Sequence, residues 1–258
     1  MIPCLLVERG RLVKTVRFGN PTYIGDPINA VRIFNDKEVD ELIVLDIGAS
    51  RDGQAADLGL LRELASECFM PLAYGGGVRT ATDAERLVRT GIEKVVINTA
   101  AVERPELVRE TAAAIGSQSV VVALDVRRDW FGRYGLRTHG GKRAAGASLA
   151  DHLRAVQDMG AGEVVVNSID RDGTRAGYDV DLIDRVMRTS RVPVIALGGA
   201  GSLEDLRIAH LRTGVPALAA GTLFVLHGPH RAVLIQYPGY AVLEAMFATS
   251  PEEHANRS

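Results

Sequence analysis

The chain has 258 residues, 47% of them hydrophobic and 24% charged, with a formal net charge of −2. That is an ordinary globular composition, and the near-neutral balance excludes a broad nucleic-acid or membrane-surface footprint. Two cysteines, Cys4 and Cys68, cannot build a disulfide framework and stand in no metal-ligand spacing.

Short β-branched apolar runs recur along the chain, at 2–7, 42–45, 71–74, 95–97, 120–124, 164–166, 192–197 and 217–220. Each ends at a polar, charged or glycine residue. The runs do not alternate, so both faces are expected to be buried, as in a parallel sheet. Helical patterns fall between them. They are expected near 27–37, 57–68, 179–189 and 238–248, after a capping box at Thr82 and Glu85, after Pro105, and after the caps Ser148 and Ser202. Both cysteines lie in apolar stretches and read as reduced, buried thiols. The N-terminal apolar stretch is too short for a signal peptide and no run reaches the ~20 residues of a bilayer span, so a cytoplasmic location is expected.

Eight strand–helix units at about 32 residues each fit a single (βα)8 TIM barrel over 1–250, with a polar tail at 251–258. A doubly wound open sheet competes, but the first strand runs into Glu8-Arg9-Gly10-Arg11, not a dinucleotide fingerprint. The halves also resemble each other. Pro71-Leu-Ala-Tyr-Gly-Gly-Gly matches Pro193-Val-Ile-Ala-Leu-Gly-Gly-Ala half a chain later, which predicts a two-fold half-barrel repeat.

In such a barrel the chemistry sits at the C-terminal strand ends. Gly75-Gly76-Gly77 and Gly198-Gly199-Ala200-Gly201 each precede a helix and can offer backbone N–H groups to a phosphate, with Asn98-Thr99 closing one site and Ala220-Gly221 the other. A purely conformational role for these glycines is the alternative. Asp125 closes a five-residue apolar run and reads as catalytic or substrate-contacting, or as a structural partner. Asp170-Arg171-Asp172-Gly173 reads as a ligand-contacting loop, and Asp46 equally as a structural acceptor. Leu6 occupies the position on the first strand that Asp125 occupies on the fifth, and a leucine transfers no proton. The six histidines are scattered, and neither a metal site nor a cofactor is expected. Trp130-Phe131, among Arg127, Arg128 and Arg133, reads either as the aromatic anchor of a mobile loop or as a lid.

Gly25-Asp26-Pro27, Leu45-Asp46, Gly75-Gly76-Gly77, Ile97-Asn98-Thr99, Gly116-Ser117-Gln118, Ser168 to Gly173 and Gly198 to Gly201, in order over about residues 2–225, resemble the cyclase subunit of imidazole glycerol phosphate synthase. The resemblance implies a barrel of half-barrel origin, a glutaminase partner, and ammonia passing through the barrel to a bis-phosphorylated substrate. By position it makes Asp125 one of two catalytic aspartates, with Leu6 replacing the other. It gives Lys14 a substrate-holding role. Gly77, Asn98 and Thr99 fall in one phosphate site, and Gly173, Gly199 and Gly221 in the other, beside Asp172, Ala200 and Ala220. Glu41, Lys94 and Glu163 match a charged ring at the ammonia entrance, whose arginine would fall just before Met1. Glu93 would face the glutaminase.

Leu6, together with Gly25 to Ala30, Glu67-Cys68-Phe69-Met70-Pro71 and the segment His227 to Ile235, is similar to a narrower group of cyclase paralogues associated with acetamidino modification of bacterial surface sugars. That likeness implies ammonia delivery to a third protein, an ATP-dependent N-acetyl sugar amidotransferase, since no Walker motif stands here. Two other functions are expected if it fails: a true histidine-pathway lyase, or a non-catalytic activator of the glutaminase.

Overall fold

A computed structural model describes residues 1–228 and 230–248. The expected tail at 251–258 lies outside the described residues. Eight parallel strands close a barrel: β1 (Ile2–Glu8), β2 (Leu42–Asp46), β3 (Leu72–Gly75), β4 (Lys94–Ile97), β5 (Val120–Arg128), β6 (Glu163–Ser168), β7 (Val194–Leu197) and β8 (Ala217–Ala220). Closure is visible in the register, because β1 pairs in parallel with both β2 and β8. The outer helices are α1 (Pro27–Asp36), α2 (Leu58–Glu67), α3 (Ala81–Arg89), α4 (Glu106–Ile115), α5 (Leu149–Asp158), α6 (Val180–Thr189), α7 (Leu203–Thr213) and α8 (Tyr240–Phe247). The chain is a single (βα)8 TIM barrel, and among its described residues no helix is long and apolar enough to cross a membrane.

Strand alternation splits the apolar residues into two cores. Leu5 and Val7 of β1 face outward and pack with the helices, as do Val95, Ile97, Val120 and Val122. Ile2, Cys4 and Leu6 face inward and meet Ile43, Val96, Val121 and Val165 in the lumen. This double burial is why the strand runs lack a polar face. Cys4 is buried, and burial pushes its thiol up to about 12. Cys68 is only half-buried, because it ends α2 at the barrel's N-terminal face rather than entering a strand.

Side-chain caps set most helix starts. Asp26, Ser148 and Ser202 each accept a backbone N–H from the first turn of α1, α5 and α7. The capping box of α3 sits two residues earlier than the sequence suggests, at Thr80 and Asp83. Asp83 reaches back to the N–H of Thr80 at 3.0 Å. Thr82 and Glu85 therefore lie inside the helix.

Two antiparallel extensions rise from the C-terminal face, and they follow the equivalent strands β1 and β5. After β1, Arg11–Lys14 pairs back on β1, and Thr22–Gly25 pairs with it in turn. After β5, the strand runs on to Arg128 and Tyr134–Thr138 returns beside it. The segment after Asp125 is thus a hairpin rather than a loose loop. Its anchor is Tyr134, whose hydroxyl donates to Asp179 at 2.7 Å while Arg128 stacks on its ring. Trp130 and Phe131 anchor nothing and stand in solvent.

The first hairpin is latched to the loop after β6. Thr15 Oγ1 donates to Asp172 at 3.1 Å, and the Arg17 N–H donates to the Asp172 carbonyl at 2.9 Å. Gly173 has φ +68°, and a Cβ there would lie 2.2 Å from the Thr15 carbonyl. Gly173→Ala is expected to open this latch and cost about 2–4 kcal/mol, from the left-handed backbone and the clash together. Urea unfolding reads the loss, and limited proteolysis reads faster cutting within residues 15–21.

Candidate active site at the barrel mouth

All eight strand ends converge on a cavity of about 560 Å³ at the C-terminal face. It brings together most of the mouth residues expected from the sequence: Leu6, Lys14, Gly77, Asn98, Thr99, Asp125, Asp172, Gly173, Gly199, Ala200, Ala220 and Gly221 line it, whereas Asp170, Arg171 and Gly201 do not. Glu41, Lys94, Glu163 and Glu93 lie elsewhere, at the N-terminal end of the strands.

Asp125 is half-buried on β5, at the level where the other barrel strands end. It accepts one side-chain hydrogen bond, from Asn167 Nδ2 at 3.2 Å. Burial pushes its carboxyl up to about 7; the Asn167 bond opposes this and the nearby Asp172 charge adds to it. A carboxyl with that pKa exchanges protons near neutral pH, as a general acid or base must. Asn167 Oδ1 is buried and has no hydrogen-bond partner among the described residues. On the first strand, Leu6 fills the equivalent place and packs with Val13 and Leu197.

Lys14 is buried in the floor of the first hairpin. A Cβ at Gly221 would fall 2.2 Å from its ammonium, so Gly221 leaves the space that Lys14 Nζ occupies. Asp172 is buried nearby. Burial raises its carboxyl pKa, against the lowering pull of Lys14, the Thr15 hydroxyl and the Phe18 N–H. One cation and one carboxylate therefore sit together at the second glycine cradle. In the first half, Asn98 Nδ2 donates to the Ala123 carbonyl at 2.8 Å, and the Thr99 hydroxyl accepts the His139 N–H at 3.0 Å. That bond ties the second hairpin to the first cradle.

The glycines answer to geometry as well as to any ligand. A Cβ at Gly77 would meet the Gln54 carbonyl at 2.6 Å, and one at Gly199 would meet the Gly177 carbonyl at 2.2 Å. Asp46 lines the mouth but also caps the short helix Ile47–Asp52 through the Ala49 N–H. Asp170 has a structural task, accepting the Arg128 N–H at 2.7 Å. Sequence reasoning missed His139 and Lys142, which line the mouth from the second hairpin. The signal was available: Gly140-Gly141 between two short polar–apolar segments is a hairpin turn.

At the opposite end of the lumen Lys94 Nζ bridges Glu41 at 3.0 Å and Glu163 at 2.9 Å. Burial pulls the lysine's pKa down, but its two carboxylate partners outweigh that and raise it. Burial raises the Glu41 carboxyl in spite of Lys94. Glu93 is exposed beside this group. Between ring and mouth lies a void of about 20 Å³, lined by Ile43, Val96 and Val165 below and Asp125 and Asn167 above. That is room for about one water-sized molecule.

A family model described as "Histidine biosynthesis protein" matches residues 1–229. The chain belongs to this family. Its relatives include a Pseudomonas aeruginosa protein provisionally named imidazole glycerol phosphate synthase subunit hisF2, 51% identical over 92% of this chain and 95% of its own length. One from Leptospira interrogans, provisionally named subunit HisF of the same synthase, is 48% identical over 96% of this chain and 98% of its own. Streptomyces coelicolor imidazole glycerol phosphate synthase subunit HisF is 42% identical over 87% of this chain and 89% of its own. The family membership accords with the cyclase-subunit resemblance read from the strand-end motifs.

The Asp125 carboxyl keeps its proton in the folded chain up to about pH 7, whereas an unfolded aspartate releases it near pH 4. Stability therefore falls as pH rises across that window. Asp125→Asn removes the penalty and should gain on the wild type between pH 4 and 8, by about 2–4 kcal/mol at the upper end. Urea unfolding at stepped pH reads the difference. Lys94→Met leaves Glu41 and Glu163 facing each other without a cation. It should cost about 2–3 kcal/mol at pH 8 and recover as pH falls through the carboxylate range.

Proposed function

We propose that the chain is the barrel subunit of a glutamine-dependent complex, which receives ammonia from a glutaminase at the Glu41–Lys94–Glu163 ring and releases it at the C-terminal mouth. The acceptor is an ATP-dependent N-acetyl sugar amidotransferase, and the product is an acetamidino group on a surface sugar of the O-antigen type. The observation that carries this reading is Leu6. It stands in the mouth where the family pattern has the second carboxylate, so Asp125 has no acid–base partner there. Losing such a group typically costs ~10²–10⁴ in rate.

The chain's residues suit conduction. Ring carboxylates attract ammonium, and the apolar collar of Ile43, Val96 and Val165 favours the neutral molecule above it. Asp125 and Asn167 then receive it at the mouth. In this reading Glu93 meets the glutaminase, and the glycine cradles with Lys14 hold a phosphorylated ligand that tunes the complex.

A second reading, the histidine-pathway cyclase, is favoured by Asp125 itself. Its carboxyl is set near neutrality, and Lys14, Asp172 and both cradles surround it. Ammonium-dependent turnover of the bis-phosphorylated histidine-pathway substrate separates the two. The wild type should show none, and Leu6→Asp should gain measurable turnover. Turnover by the wild type at ordinary family rates would overturn the sugar reading in favour of the cyclase.

A further inference from the structure

Trp130 is 98% exposed and Phe131 81% exposed. They occupy the tip of the hairpin that continues β5, the strand of Asp125. The turn that carries them is tightly built. Asp129 accepts the Phe131 N–H at 2.9 Å and the Arg133 N–H at 2.8 Å, and its own N–H donates to the Arg133 carbonyl. At the base, Asp179 takes bonds from both Arg128 and Tyr134. These bonds order the turn, and the two aromatic rings are left in solvent. Arg133 lies with its guanidinium 5.3 Å from the Phe131 centroid.

Neither ring lines the mouth cavity, although His139, Gly140 and Lys142 of the same hairpin do. A lid over a small substrate would turn its apolar side chains inward, so these two serve something outside the cavity. Large exposed aromatic side chains on a rigid mount are the composition of protein-interface anchors. The charge along the same hairpin narrows the occupant. Near the tip Arg133 pairs with Asp129, and along the stem Arg127 and Arg128 pair with Asp170, Asp179 and Asp181. Lys142 and Arg143 are exposed at the hairpin's other turn, beside the mouth, so an occupant seated on the tip and over the mouth meets a basic edge.

We propose that the Trp130–Phe131 tip docks the ammonia-accepting enzyme onto the C-terminal mouth. The inference rests on the function proposed above, which requires a third protein there. Ammonia that meets bulk water is protonated and diluted, so transfer to a second enzyme needs that enzyme seated on the rim. The partner offers an apolar socket for the two rings and, over the mouth, an acidic patch for Lys142 and Arg143.

The test uses the chain in complex with its glutaminase and a purified ATP-dependent N-acetyl sugar amidotransferase. Trp130→Ala/Phe131→Ala should bind that enzyme at least about 30-fold more weakly. Glutamine-driven sugar amidination should fall with binding, while amidination from added ammonium chloride and the glutaminase rate stay at wild-type values. Equal binding and equal glutamine-driven transfer by the variant would overturn the docking role and leave the sugar chemistry standing. Binding that is lost in the variant, with no amidinated sugar from any complex, would uphold the docking role and remove the sugar reading. A wild type that ignores the enzyme but binds phosphatidylglycerol vesicles through the tip would overturn the inference in favour of a membrane.

Discussion

A closed parallel barrel gives each inward side chain a fixed height on one axis, and a charge placed there must be paired or open to water. The chain obeys this with three zones. Lys94 sits between Glu41 and Glu163 at the lower rim, where partial exposure softens the cost of burying charge. Ile43, Val96 and Val165 form the middle, with no polar atom to satisfy. Asp125, Asn167, Lys14 and Asp172 crowd the top, where cavity and hairpins supply partners. The site follows from this stacking: the polar groups gather at the two rims because the apolar middle of the lumen cannot hold them.

The mouth is held together across the halves of the barrel. The hairpin after β1 is pinned through Thr15 and Arg17 to Asp172, and the hairpin after β5 is pinned through His139 to Thr99. Both insertions therefore cross to a loop of the other half-barrel. The repeated Gly-rich turns reach the same mouth through Gly75 to Gly77 and Gly198 to Ala200. Their missing side chains leave room for neighbouring backbone, as at Gly199 against Gly177.

Much of this architecture was legible in the sequence. Strands buried on both faces leave runs such as Val120 to Leu124, and those runs located all eight barrel strands. Caps such as Ser148 and Ser202 are local chemistry and fell where expected. The α3 capping box was misplaced because Thr80 and Thr82 are equally able caps, and only the chain's entry angle selects the first. The two hairpins escaped notice because their strands lie half in solvent and mix arginine with glycine. Asp125 was legible as a carboxylate ending an apolar run. Its bond to Asn167 spans two strands and becomes visible only through their register. The cradles were legible as paired Gly-rich turns before helices, with a conformational role left open, whereas the role of the ring came from family resemblance.

Leu6 has a consequence for the direction in which such a barrel can evolve. Its neighbours in register are Val13 on the covering hairpin and Leu45 on β2, and it packs with Leu197. Those residues form an apolar wall beside the mouth, where a carboxylate at position 6 would share the site with the half-buried Asp125 and the buried Asp172. Restoring the acid alone would place a third carboxyl in a site that already holds two protonation-prone ones. A lineage that returns to the acid by this one change therefore recovers proton transfer in part, because the two neighbouring carboxyls push the new one toward its protonated form.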